Sequence, residues 1–199
     1  MTLHPRRVML VAATCFVALA LPVALFGALP GEGAVRDGLL ALASPSMIAT
    51  MRVINWAGSW KLLLPATLLL LLVFRRARER WWLWIGLMIV APSTEGVLKV
   101  VVGRPRPESV SMGFPSGHAT AAAAFFGAVI YLAEDLPPRA RRLVRVAAVA
   151  LIVLVAVARV LLRAHWPTDA AAGICLGTAL ASAAVLIARR RRSDSGTRG

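Results

Sequence analysis

Three short segments hold most of the residues in this 199-residue chain whose types and spacing can do chemistry. They are Lys99 to Pro107, Pro115-Ser116-Gly117-His118, and Arg159 to Asp169. Lys99, Arg106 and Arg159 supply fixed positive charge, and the two guanidiniums carry fork-shaped donors that match phosphate oxygens. Ser116 reads as a helix N-cap and Gly117 permits close backbone approach. That helix start therefore offers free N–H groups and a positive dipole end to an anion. His165 and Asp169 are four residues apart, on one helical face and within hydrogen-bonding reach. A carboxylate on one ring nitrogen fixes the tautomer and leaves the other nitrogen as a nucleophile. His118 can then protonate a leaving group. Together these groups describe phosphoryl transfer through a phosphohistidine. There is no thiol or carboxylate cluster to hold a metal, so no cofactor is expected and the cations do the electrostatic work.

The elements that must position these residues are membrane spans. Apolar residues make up 59% of the chain and charged ones 16%, which is far more apolar than a soluble domain. A bilayer core of roughly 30 Å takes about 20 helical residues, and runs of that kind recur. Six spans are predicted, at about 8–29, 54–74, 81–102, 117–132, 143–162 and 166–188. Residues 38–51, between the first two, have the mixed spacing of a segment lying along the membrane surface. The first run continues well past the length of a signal-peptide core and is read as an uncleaved span. The expected fold is all-α, one membrane-embedded domain over 1–199 with its motifs within 99–169 and a disordered basic tail at 189–199.

The net charge of +14 invites a nucleic-acid reading, but the placement of the charges excludes it. Arginines cluster at 6–7, 75–80, 139–145 and 189–192, always in alternate gaps between spans, as the positive-inside bias requires. Both termini are thereby expected in the cytoplasm, and membrane lipid rather than nucleic acid is the partner. Arg36, Arg52, Lys61, Lys99, Arg104, Arg106, Arg159 and Arg163 fall outside that rule, most of them around the last two outer gaps. Ionisable groups at the ends of spans are costly, so this crowd reads as an active site on the extracytoplasmic face. Cys15 and Cys175 lie within apolar spans and form no disulfide framework.

The ordered pattern Lys-x6-Arg-Pro, Pro-Ser-Gly-His, Arg-x5-His-x3-Asp resembles the type 2 phosphatidic acid phosphatase superfamily, in its six-helix membrane branch. The resemblance implies that Lys99, Arg106 and Arg159 bind phosphate with Ser116 and Gly117. It implies His118 as general acid and His165 as nucleophile, oriented by Asp169. It also implies hydrolysis of the terminal phosphate of a lipid phosphate or diphosphate, such as undecaprenyl diphosphate, phosphatidic acid or phosphatidylglycerol phosphate. The family's third motif usually has serine before its arginine, whereas Ala158 stands here.

A vanadate-binding oxidase would use the same pocket, and a non-catalytic lipid-phosphate binding or transport protein would keep its cations. The pair of histidines argues against the latter, because binding phosphate needs neither an acid nor a nucleophile. Lys99 stands four residues after Glu95, so it either neutralises a buried acid or is positioned by one. Arg104 and Arg163 are expected to be solvated or to face headgroups. The alanine- and arginine-rich composition and short loops suggest a bacterial plasma membrane.

Overall fold

The computed structural model describes residues 4–196. Its first helix, α1, runs from Pro5 to Phe26. Two shorter helices follow, α2 (Glu32–Ala41) and α3 (Pro45–Asn55), where a single surface segment was expected. The break falls at Ser44-Pro45: the Ser44 hydroxyl accepts from the Met47 N–H at 3.2 Å, and proline suits the first turn that follows. A 3-10 turn at Trp56–Gly58 joins α3 to α4 (Trp60–Val73), with a bend of 51° between the two arms. The short α5 (Arg75–Glu79) leads into α6 (Trp81–Val102), which ends at Gly103 in the left-handed conformation that favours glycine.

The outer gap after α6, expected as a loop in an all-α fold, contains a small antiparallel hairpin, β1 (Pro105–Arg106) and β2 (Ser109–Met112). Pro105 and Pro107 fix their own φ and hold the residues before them extended, so helix cannot continue there. Beyond it come α7 (Gly117–Leu132), α8 (Pro138–Leu161) and α9 (Pro167–Gly196). Of the basic tail expected to be disordered, 189–199, residues 189–196 continue α9, and 197–199 lie outside the described residues.

Among the described residues, four helices are long and apolar enough to cross a membrane, namely α1, α6, α8 and α9 up to Arg189. The bent pair of α3 and α4 makes a fifth if its arms form one span. The fourth predicted span, 117–132, is α7, which has 16 residues, or about 24 Å at 1.5 Å per residue. It is shorter than the roughly 30 Å core of a bilayer, and it occupies the centre of the bundle. Ala119, Ala122, Ala123 and Ala124 are fully buried along it. Glycines of α9 let the two helices close up. A side chain at Gly173 would meet the Ser116 carbonyl oxygen at 2.6 Å. The outward faces are apolar instead: Leu21, Leu68, Leu72 and Val100 all lie more than half exposed. Such a surface belongs in lipid.

Candidate active site

Packing of α7 on α9 brings the second and third motifs together. The Ser116 N–H donates to the Asp169 carbonyl oxygen at 2.9 Å, joining the two helix starts directly. His165 sits in the turn before α9 with 1% of its surface exposed, and Asp169 in the first turn has none. Their contact is His165 Nδ1 to Asp169 Oδ2, 3.3 Å, and the same oxygen accepts from the Trp166 N–H at 3.1 Å. Asp169 is therefore oriented from two sides, and Nε2 is the ring atom left without this partner. Burial pushes the His165 imidazole below its ordinary 6.5. The Asp169 hydrogen bond pulls it back up, while the charges of Arg159 and Arg106 push it down. The ring is thus held neutral, as a nucleophile requires.

His118 occupies the first turn of α7, partly buried. The charges of Arg159, His165, Arg106 and Lys99 all act on it, so all three motifs share one field. Arg106, on β1, directs its Nε to the Met112 carbonyl at 3.3 Å. Arg159, in the last turn of α8, donates from Nη1 to Asn55 Oδ1 at 2.9 Å. Its buried Nε makes no hydrogen bond among the described residues. Lys99 pairs with the Glu95 carboxylate. A side chain at Gly117 would meet that carboxylate at 2.8 Å, so only glycine lets α7 start so close to α6.

Ser116 departs from expectation. It stands at the N-cap with extended backbone, but its side chain caps nothing. The hydroxyl is fully buried and has no partner among the described residues. The Ser116 backbone N–H bonds to the Asp169 carbonyl, and the hydroxyl makes no capping bond to the helix N–H groups. Those groups and a spare hydroxyl remain for an incoming anion.

Arg104 is a correction. It was expected at the headgroups, yet only 4% of it is exposed. Nη1 donates to Asp169 Oδ1 at 2.9 Å and to Thr168 Oγ1 at 2.7 Å, and Nη2 pairs with Glu32. The guanidinium also lies over the Trp166 ring, 5.2 Å from its centroid. The cause is tertiary: β1 and the turn before α9 close over Arg104 and shield it from water. Arg163 is exposed and pairs with Glu108 at 3.1 Å.

Sequence reasoning also missed Glu32 and Asn55. Asn55 reaches Arg159 from the end of α3. No local signal marks either residue as part of this site. Ala158, where the family's serine would stand, packs in a buried cluster with Met51 and Leu161. That side of α8 faces α3 and is filled by apolar contact.

A family model described as the PAP2 superfamily matches residues 80–193, more than half of the chain, and takes in all three motifs. The chain belongs to the PAP2 superfamily. With that membership comes the expected enzyme class, a lipid phosphatase in a multi-pass membrane protein. Phosphatidylglycerophosphatase B of Bacillus subtilis (strain 168) is 28% identical over 182 residues, covering 83% of this chain and 87% of the relative. The crystal structure of a transmembrane PAP2-type phosphatidylglycerolphosphate phosphatase from Bacillus subtilis superposes with a TM-score of 0.81 at 25% identity. That match covers 94% of this chain and 96% of the other. Aquifex aeolicus LpxE, at 18% identity and a TM-score of 0.63, covers 77% of this PAP2 chain and 93% of its own. It shares the fold.

Proposed function

We propose that this PAP2 enzyme hydrolyses the terminal phosphate of a lipid phosphate or diphosphate through a phosphohistidine on His165. The observation that carries this reading is the buried His165–Asp169 pair beside a cationic, partly unpartnered pocket. His165 Nε2 attacks phosphorus in line, and the bond from phosphorus to the lipid oxygen breaks. His118 gives its proton to that departing oxygen and becomes the neutral base. A water then loses a proton to His118 as it attacks the phosphohistidine. The phosphorus–nitrogen bond breaks, phosphate leaves, and His165 is restored. Lys99, Arg106 and Arg159 hold the equatorial oxygens with the Ser116 hydroxyl and the Gly117 N–H.

Six membrane crossings with both termini in the cytoplasm are part of the same proposal. On that reading α7 is the short central crossing, and the site faces the outside of a plasma membrane. The arginine clusters in alternate gaps support it. The substrate's terminal phosphate lies at headgroup level, with its tails along the apolar outer faces of the bundle. Names of relatives favour phosphatidylglycerol phosphate among the lipids considered.

The test is phosphate release by purified protein, in EDTA, from phosphatidylglycerol phosphate, phosphatidic acid and undecaprenyl diphosphate, with His165→Ala as blank. Turnover of at least one lipid, absent in the blank, is the expected result. Undiminished release by the blank would remove His165 as nucleophile.

A further inference from the structure

The buried ion cluster behind Asp169 has no place in the three motifs. Glu32 opens α2 with 5% of its surface exposed. Its carboxylate pairs with Arg104 Nη2 and accepts from the Thr168 N–H at 3.0 Å, within the first turn of α9. The Thr168 hydroxyl bonds to the same carboxylate and accepts from Arg104 Nη1 at 2.7 Å. Arg104 Nη1 reaches on to Asp169 Oδ1 at 2.9 Å, and the other oxygen of Asp169 meets His165. A continuous chain thus runs Glu32–Arg104–Asp169–His165, through three charged side chains all 5% exposed or less. Burial pushes the Glu32 carboxyl up, and the bonds from Arg104 and Thr168 outweigh it, so it is held below the usual carboxylate range. Asp169 alone beside a buried guanidinium would be drawn toward it; the second carboxylate shares that pull.

We infer that Arg104 and Glu32 are positioning residues for the phosphatase reaction. Arg104 locks the Asp169 carboxylate with one oxygen turned to His165, and Glu32 balances the charge of Arg104 while anchoring the start of α9. Neither touches substrate. The inference rests on the His165–Asp169 reading above. The groups facing His165 are Asp169 on α9, Arg159 on α8, Arg106 on β1 and His118 on α7. Arg104 and Glu32 act on His165 through Asp169. Removing the cation makes Asp169 a stronger acceptor and His165 easier to protonate. Removing the counter-anion does the reverse.

The experiment measures kcat and KM against pH for full-length protein on a short-chain phosphatidic acid in detergent micelles. The variants are Arg104→Gln, Arg104→Lys and Glu32→Gln, with His165→Ala alongside. Groups that orient a metal-bound histidine contribute about 10- to 100-fold in metal affinity or activity, and orientation of His165 through Asp169 is expected to be of the same order. Arg104→Gln is expected to lower kcat by that factor at nearly constant KM, and Arg104→Lys to restore part of it. The limb of the kcat/KM profile that reports His165 moves to higher pH in Arg104→Gln and to lower pH in Glu32→Gln. A merely structural role moves both variants alike or moves neither limb, and either outcome overturns the inference. The amide of Glu32→Gln still accepts from Thr168, so that variant keeps the test readable if Arg104→Gln does not fold. Loss of the opposed shifts with an inactive His165→Ala sinks only this inference. Turnover by His165→Ala sinks the mechanism beneath it.

Discussion

Both ends of the bundle are rich in arginine, and they use it in opposite ways. At one end Arg76, Arg145 and Arg189 gather around Glu134, at 3.9, 3.6 and 3.1 Å. All three are 30–42% exposed, and the carboxylate is shared among them. At the other end Arg104 is buried against two carboxylates, and Arg159 keeps a buried nitrogen with no partner among the described residues. The first arrangement is a partly exposed network in which one carboxylate serves several arginines, and exposed pairs of that kind contribute little to stability. The second has one geometry per residue. Both ends carry several arginines, so what separates the two is burial and the direction of each donor.

Mutations at the two ends should therefore differ by orders of magnitude. His165→Ala is expected to leave a folded protein without turnover, read as phosphate release alongside circular dichroism in detergent. Asp169→Asn should lower kcat on the order of 10³–10⁴-fold, as loss of the orienting aspartate does in serine-protease triads. Asp169 raises His165, so in any residual activity the limb of the pH profile that reports His165 should move lower. An upward shift would mean that the carboxylate is not the partner that tunes the ring. Arg159→Gln removes one phosphate clamp and should raise the barrier by about 2–4 kcal/mol, measured as kcat/KM. Glu134→Gln, at the opposite end, should leave turnover unchanged and stability within about 1 kcal/mol of the parent by thermal unfolding. A loss of activity there approaching that of Arg159→Gln would erase the distinction between the ends.

Much of the site was legible because its signals are local. The four-residue spacing sufficed to pair His165 with Asp169, although His165 stands in the turn before α9 and not on the helix as expected, and Lys99 stands one helical turn from Glu95. Arg104 was misread because its partners are distant: Asp169 is 65 residues away in sequence and Glu32 is 72. Its own neighbourhood, Gly103 and two prolines, looks like an exposed turn. Asn55 is hidden in the same way, 104 residues from the arginine it holds. Ser116 shows a subtler limit: N-cap preference located the helix start correctly, but the hydroxyl makes no capping bond and has no partner among the described residues.

Hydropathy, charge alternation and helical period are properties of short windows, and they were enough to establish a helical membrane protein with a cationic, two-histidine motif set. Which cation is buried, which hydroxyl stays open and how deep α7 sits depend on surfaces that meet only when distant segments pack. In a low-dielectric interior each buried charge must find a partner wherever the fold supplies one. Here that partner came from α2, and no stretch of sequence around Arg104 contains it.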